Sequence, residues 1–196
     1  ESDFIVPDSL EIEKVLSVHS AAYWDRLSNF QLSDREQRVS GFVHSQELIQ
    51  RELCIMEGTR RLAEEALTKK LGFNIAGGTH HAFVDRGEGF CLLNDQVIAA
   101  NDLLTQQGIQ KILIIDLDVH QGNGTAAMLQ DDDRVFTFSM HGRNNYPLQK
   151  EQSNLDVELD DGIQDKAYLH LLSEHLDRIL SSFTPEFIFY QCGVDI

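Results

Sequence analysis

The chain has 196 residues, 42% hydrophobic and 24% charged, enough for one good-sized domain with a real core. Its 32 acidic residues against 16 basic ones leave a net charge of −16, which argues against direct nucleic-acid binding. The same balance suits a cationic substrate and equally a highly soluble surface, and apolar runs such as Ile112 to Ile115 fall far short of the roughly 20 residues that cross a bilayer.

In chain order, residues 9–29 read as a helix, with Leu16, Tyr23 and Leu27 near one face, and the polar residues 31–44 read as a loop. Ser45 is placed to cap a long helix over 46–70. Glu47 and Glu52 stand early in it and Lys69 and Lys70 late, as the helix dipole prefers. Its apolar positions Ile49, Leu53, Met56, Ala63 and Leu67 follow helical spacing, and Gly72 is the expected stop. Phe73 to Ala76 is a short strand candidate that runs into Gly77-Gly78. Leu92 to Gln107 reads as a helix stopped by Gly108. Lys111 to Asp116 is a continuous apolar run of the kind found in buried parallel strands. Arg134 to Ser139 is another strand, Asp165 to Ser182 a helix, and Phe187 to Gln191 a strand after Pro185. Strands separated by helices predict an α/β fold, with a mainly parallel sheet covered on both faces, in a single domain over 1–196. The odd set Cys54, Cys91 and Cys192, with no CxxC, predicts no disulfide framework and a reducing, cytoplasmic setting.

Sites in open α/β sheets form at the carboxyl ends of strands. Three polar clusters are expected there: the His80-His81 pair, Asp116-Leu-Asp-Val-His120, and Ser139-Met-His141. In an extended segment Asp116, Asp118 and His120 alternate onto one face, where a divalent metal compensates two carboxylates and an imidazole. Aspartate with histidine suits zinc or ferrous iron. The competing reading is an Asp-rich strand-to-helix cap. For the histidine pair, one reading puts one ring in the core and one at the surface. In the other, one ring takes a proton from a metal-bound water while its neighbour stabilises charge. Gly87-Glu-Gly89-Phe90 is a glycine-rich loop, and Phe90 is either core or the aromatic wall of a pocket.

Taken together and in this order, GGTHHA (77–82), GEGFCLLND (87–95), DLDVHQGNGT (116–125) and YQCGVDI (190–196), with VHSAAY (18–23) ahead of them, resemble the histone deacetylase superfamily. The likeness covers nearly the whole chain and is nearest to the class IV branch and its bacterial cousins. It implies a three-layer α/β/α arginase/deacetylase fold with a narrow tunnel leading to zinc or, alternatively, ferrous iron. By match, Asp118 and His120 are two metal ligands, and His80 and His81 are the tandem pair, with His81 the general base. Asp116 is matched to a hydrogen bond that sets the tautomer of His80. Asn123 stands where many members carry an aspartate, which makes His81 less basic. Gly89, Phe90 and Tyr146 are matched to the acyl-lysine tunnel. A structural potassium is implied at Asp116, Asp118, His120, Ser139 and Met140.

The resemblance implies metal-assisted hydrolysis of an acyl amide on lysine or a related small amine, in which His81 deprotonates water, His80 helps stabilise the oxyanion, and acetate leaves. It also implies that a third metal ligand and the transition-state tyrosine lie beyond Ile196, since Asp195 matches an earlier aspartate of its motif. The chain alone is therefore expected to be inactive. Two other readings stand beside this one. A non-catalytic acyl-lysine or partner-binding module would bind acetylated peptide without releasing acetate. A binuclear-manganese ureohydrolase would share the fold, but the histidine pair and GEGFC disfavour it.

Overall fold

The computed structural model describes residues 6–193, which fall into two compact units, Glu1–Gly108 and Ile109–Ile196. The last three residues of YQCGVDI, Asp195 among them, lie outside the described residues.

The first unit is helical. The single helix expected over 9–29 is two: α1 (Ile12–Leu16) and α2 (Ala21–Ser28). Ser20 breaks the run, because its hydroxyl accepts from Tyr23 N–H and caps a new helix. Residues 31–44, expected as a loop, contain α3 (Asp34–Ser40). Its signal is a capping box that the apolar pattern hides: Ser33 takes the Glu36 N–H while Glu36 returns to the Ser33 N–H. Helix α4 (Gln46–Lys69) is capped by Ser45 as expected. It ends on Lys70 in the left-handed conformation, two residues before Gly72. Its Ile49, Leu53, Met56 and Ala63 are buried, and α5 (Asp95–Gln106) packs on it. The core of this unit joins Val15, Tyr23, Leu27, Leu53, Met56, Leu92 and Ile98. Full burial of one such side chain contributes roughly 1.5–3 kcal/mol. The buried Asp102 of α5 takes Lys14 of α1 and Arg60 of α4, which ties three helices together.

Phe73–Ala76 is not a strand. Phe73 and Ile75 are both exposed, and this short apolar stretch pairs with no strand among the described residues. The histidine pair therefore follows a loop rather than a strand end.

The second unit is a four-stranded, wholly parallel sheet in the order β3-β2-β1-β4. Strand β1 (Ile112–Asp116) is followed by α6 (Asn123–Leu129), β2 (Val135–Gly142), β3 (Leu155–Leu159), α7 (Asp165–Ser182) and β4 (Phe187–Gln191). Strand β2 runs three residues past its expected end, because β3 pairs with Phe138 to Gly142. The pattern reading missed β3: it is an acidic edge strand in which only Leu159 is buried. Alternation along β1 and β2 sorts the faces. Leu113, Leu117, Phe138 and Met140 pack with Ile179 and the half-buried Leu172 and Leu176 of α7. Asp116 and Ser139 alternate onto the opposite face, and they stand opposite each other in the parallel register. No helix among the described residues is long and apolar enough to cross a membrane. Cys54, Cys91 and Cys192 are free thiols.

Candidate functional site

The histidine pair lies in the first unit on a turn between α4 and α5. Both rings are buried, 4% and 5% exposed, so the reading of one core and one surface histidine fails. Their centroids stand 4.1 Å apart with the planes tilted by 43°. The turn is held at both ends. Before the pair, Asp95 accepts from Gly78 N–H (3.0 Å), from Thr79 N–H (2.9 Å) and from the Thr79 hydroxyl (2.8 Å). After the pair, Asn94 Nδ2 donates to Ala82 C=O (3.2 Å) and His19 Nδ1 donates to Phe83 C=O (2.9 Å).

His19 is itself buried, and its Nε2 accepts from Asn94 N–H at 3.0 Å. One ring nitrogen donating and the other accepting defines a neutral tautomer. Burial lowers its pKa from 6.5 to about 4, partly opposed by the Phe83 and Val84 backbone carbonyls. Tyr23 donates to Leu92 C=O at 2.9 Å, and burial pushes its phenol above the usual range. Reading the pair by itself misses His19, Asn94 and Asp95. They were visible only as parts of VHSAAY and GEGFCLLND, without roles.

Gly89 and Phe90 form the corners of a tight turn. Cys91 N–H bonds Glu88 C=O at 3.0 Å, and both corner residues have positive φ, 57° and 63°. This is the backbone of a type I′ turn, natural for Gly89 and strained for Phe90. Phe90 is not core: the residue is 69% exposed. It leans edge-on against Phe42, with centroids 5.9 Å apart. Gly41, in the left-handed conformation, leaves the ring its space, since a Cβ there would lie 2.5 Å from Phe90 Cε1. Cys91 is buried.

The second unit carries the aspartates. Strand β1 stops at Asp116, so Asp116 to His120 is not one extended segment as expected. Two successive side-chain turns replace it. Asp116 Oδ1 accepts from Asp118 N–H (3.1 Å), and Asp118 Oδ1 accepts from His120 N–H (2.8 Å). Asp118 Oδ1 also accepts from His120 Nδ1 at 2.9 Å, which brings the two expected metal ligands side by side without strand alternation. The helix-cap alternative is not what forms: the cap of α6 is Gly122, with no side-chain bond, and the buried Asn123 is its first helical residue. Gly193 makes room for Asp118. A Cβ there would overlap Asp118 Cα and lie 2.6 Å from Oδ2.

Tyr146, next to a cis Pro147, sets its ring edge-on to His120 at 6.4 Å, and its C=O accepts from Gln121 N–H. The buried Gln121 holds the following loop, donating to Glu151 C=O (2.7 Å) and Asp156 (2.8 Å) and accepting from Glu151 N–H (2.9 Å). Ser139 Oγ lies 2.8 Å from Nδ1 of the buried His141, whose pKa burial lowers. Met140 is buried in the same strand. A cavity of about 600 Å³ is lined by Val119, Met140, Leu159, Ile163 and Tyr168, and neither Asp118 nor His120 contributes to it.

An oxygen and an imidazole nitrogen 2.9 Å apart fit a divalent metal. Two ligands about 2.0–2.1 Å from one tetrahedral zinc stand on the order of 3.3 Å apart, so this pair needs only a small opening. Among the described residues no group of three His, Cys, Asp or Glu side chains is gathered to hold a metal, so they supply this pair and no third ligand. Asp116 and Ser139, facing each other across the β1–β2 pair, offer hard oxygen donors of the kind a potassium ion takes.

Residues 1–196 match the histone deacetylase domain. An uncharacterized protein of Picosynechococcus sp. is 45% identical over 190 residues, covering 97% of this chain and 62% of that protein. Histone deacetylase 2 of Arabidopsis thaliana is 32% identical over 202 residues, covering 97% of this chain and 52% of its own. In backbone, the chain superposes on a histone deacetylase homologue from Aquifex aeolicus with a TM-score of 0.80 at 24% identity, over 94% of this chain and 55% of that one. A homologue crystallised with SAHA gives 0.79 at 24% identity, with the same coverage. These likenesses establish the arginase/deacetylase fold, a parallel sheet with helices. The chain spans about half to three-fifths of the length of these relatives. By its sequence match over all 196 residues and by its fold, the chain belongs to the histone deacetylase domain family.

Proposed function

We propose that the protein is a metal-dependent deacylase that hydrolyses an acetyl or other acyl amide on lysine or a related small amine and releases the acid. The observation that carries this is the Asp118–His120 pair, two metal-type donors 2.9 Å apart at the end of a parallel strand, in a chain that also buries a tandem histidine pair. Asp118 and His120 hold the metal, zinc or alternatively ferrous iron. When bound, the metal supplies Lewis acidity toward the acyl carbonyl and makes water acidic enough to be deprotonated near neutral pH.

His81 takes the proton of the attacking water and later returns it to the departing amine. His80 stabilises the negative charge that develops on the acyl oxygen. Asp116 holds the tautomer of His80, and Asn123, in place of a carboxylate, leaves His81 less basic. Phe90 and Tyr146, each with a ring exposed to solvent, guide the acyl-lysine stem, with Gly89 allowing the turn that projects Phe90. Asp116, Asp118, His120, Ser139 and Met140 hold a structural potassium. The SAHA-bound homologue supports a narrow substrate, an acetylated lysine peptide or small acetylated amine. The surplus of acidic residues suits a cationic substrate and argues against a nucleic-acid partner, the short apolar runs argue against a membrane partner, and the odd set of three cysteines, with no CxxC, fits a reducing cytoplasm.

The test is zinc-dependent acetate release from acetyl-lysine peptides by the full-length protein beside its His81→Ala variant. Release by the native protein and its loss in the variant is the expected result. No release across several acyl chains and metals, from folded, metal-loaded protein, would reject the deacylase and leave an acyl-lysine-binding module.

A further inference from the structure

We propose that Asp95 is the positioning residue of the tandem histidines, the group that sets where the His80 and His81 rings stand. The proposal rests on the deacylase reading for its catalytic consequence, but its geometry is independent of it. Asp95 is 1% exposed and is the first residue of α5, capped by Asn94. Its two carboxylate oxygens take four donors. Oδ1 accepts the Thr79 N–H and hydroxyl; Oδ2 accepts the Gly78 N–H (3.0 Å) and the Thr59 hydroxyl (2.6 Å). In return, Asp95 N–H donates to Thr79 Oγ1 at 3.1 Å.

These donors are backbone amides and hydroxyls, so the carboxylate here arranges a backbone rather than neutralising a nearby cation. Two of the amides belong to the residues directly before His80. The approach is close enough that residue 77 carries no side chain: a Cβ on Gly77 would lie 2.6 Å from Asp95 Oδ2 and 2.9 Å from Thr59 Oγ1. Four donors on two oxygens match a carboxylate, which only accepts. An asparagine in its place would turn an NH₂ toward two of them and leave those donors unmet.

The neighbouring residue completes the arrangement. Asn94 donates to Ala82 C=O and, through its N–H, fixes His19, which donates to Phe83 C=O. Two adjacent residues at the start of one helix thus hold the backbone on both sides of the histidine pair. Small misplacements of a catalytic group cost large factors in rate, so the Asp95 clamp acts on turnover through the rings it places.

The experiment compares Asp95→Asn, Thr79→Val and Thr79→Ser in the full-length protein. It reads kcat and KM on an acetyl-lysine peptide, thermal midpoint, and the imidazole proton NMR signals of His80 and His81. Thr79→Val keeps shape and removes the hydroxyl; Thr79→Ser keeps the hydroxyl. Expected are a kcat lowered at least tenfold with KM within about twofold in Asp95→Asn and Thr79→Val, displaced imidazole signals in both, and native values in Thr79→Ser. The proposal is overturned if Asp95→Asn or Thr79→Val lowers only the thermal midpoint while kcat and the imidazole signals stay native. If Asp95→Asn does not fold, the two Thr79 variants decide. If the native protein shows no deacylase activity, the functional reading fails. The imidazole signals then judge the clamp alone: displaced in Thr79→Val but native in Thr79→Ser upholds it, and any other pattern rejects it.

Discussion

Replacing His19 with asparagine should flatten the acid side of the protein's stability profile. His19 is buried and neutral, with a pKa lowered from 6.5 to about 4, chiefly because burial penalises its charged form. Its Nε2 already accepts the Asn94 N–H, so protonation must also break that bond. Between pH 6.5 and 4 the unfolded chain binds a proton at this site that the folded chain refuses. Folding stability therefore rises with pH across that window and is lost as pH falls through it. At about 1.4 kcal/mol per pH unit, a fall from 6.5 to about 4 is worth on the order of 3 kcal/mol, fully present above pH 6.5. His19→Asn keeps a donor for Phe83 C=O and removes the titrating ring. The variant should be less stable than the native protein at pH 7, because the Asn94 N–H loses its acceptor, and the gap should close by about 3 kcal/mol by pH 4. Urea unfolding of both proteins at half-unit pH steps measures the gap. A gap constant from pH 7 to 4 would refute the assignment of His19 as a buried neutral ring.

Two further outcomes are expected. Gly41→Ala puts a Cβ at a φ of 79° and 2.5 Å from Phe90 Cε1. It should cost at least about 1–2 kcal/mol from backbone strain alone, read as a lower thermal midpoint with an altered aromatic circular dichroism band; an unchanged midpoint would contradict the Gly41–Phe90 contact. Gly193→Ala drives a methyl against Asp118 and should weaken zinc binding by the full-length protein by roughly tenfold or more. Calorimetric titration checks it, and native affinity in the variant would remove Asp118 from the ligand set.

Much of the framework is legible in the residues. Ser45 announces α4, the Ile112–Ile115 run announces a buried parallel strand, and the helix before Pro185 and the strand after it appear where expected. The failures share a cause. Strand β3 is an edge strand whose residues are mostly half-buried, and its strand character comes from pairing with β2. Phe73–Ala76 has the composition of a strand but no strand partner among the described residues, and remains a loop with Phe73 and Ile75 in solvent. The break at Ser20 and the helix start at Ser33 come from side-chain caps, which the apolar pattern does not carry.

The same division runs through the candidate site. By itself the sequence determined which residue types are present and in what order: two adjacent histidines behind small residues, a DLDVH segment after an apolar strand, and an aromatic after Gly89. Spacing along a chain carries that much because local periodicity and turn chemistry act over a few residues. Only the tertiary structure decided that both histidines are buried together, that Asp118 and His120 meet through two side-chain turns instead of strand alternation, and that Phe90 projects in a strained conformation. It also revealed His19, Asn94 and Asp95 as the residues that hold the histidine turn. Their bonds join positions 12 to 75 residues apart in the chain, and hydrogen-bond partners that distant are chosen by packing, which no local pattern encodes.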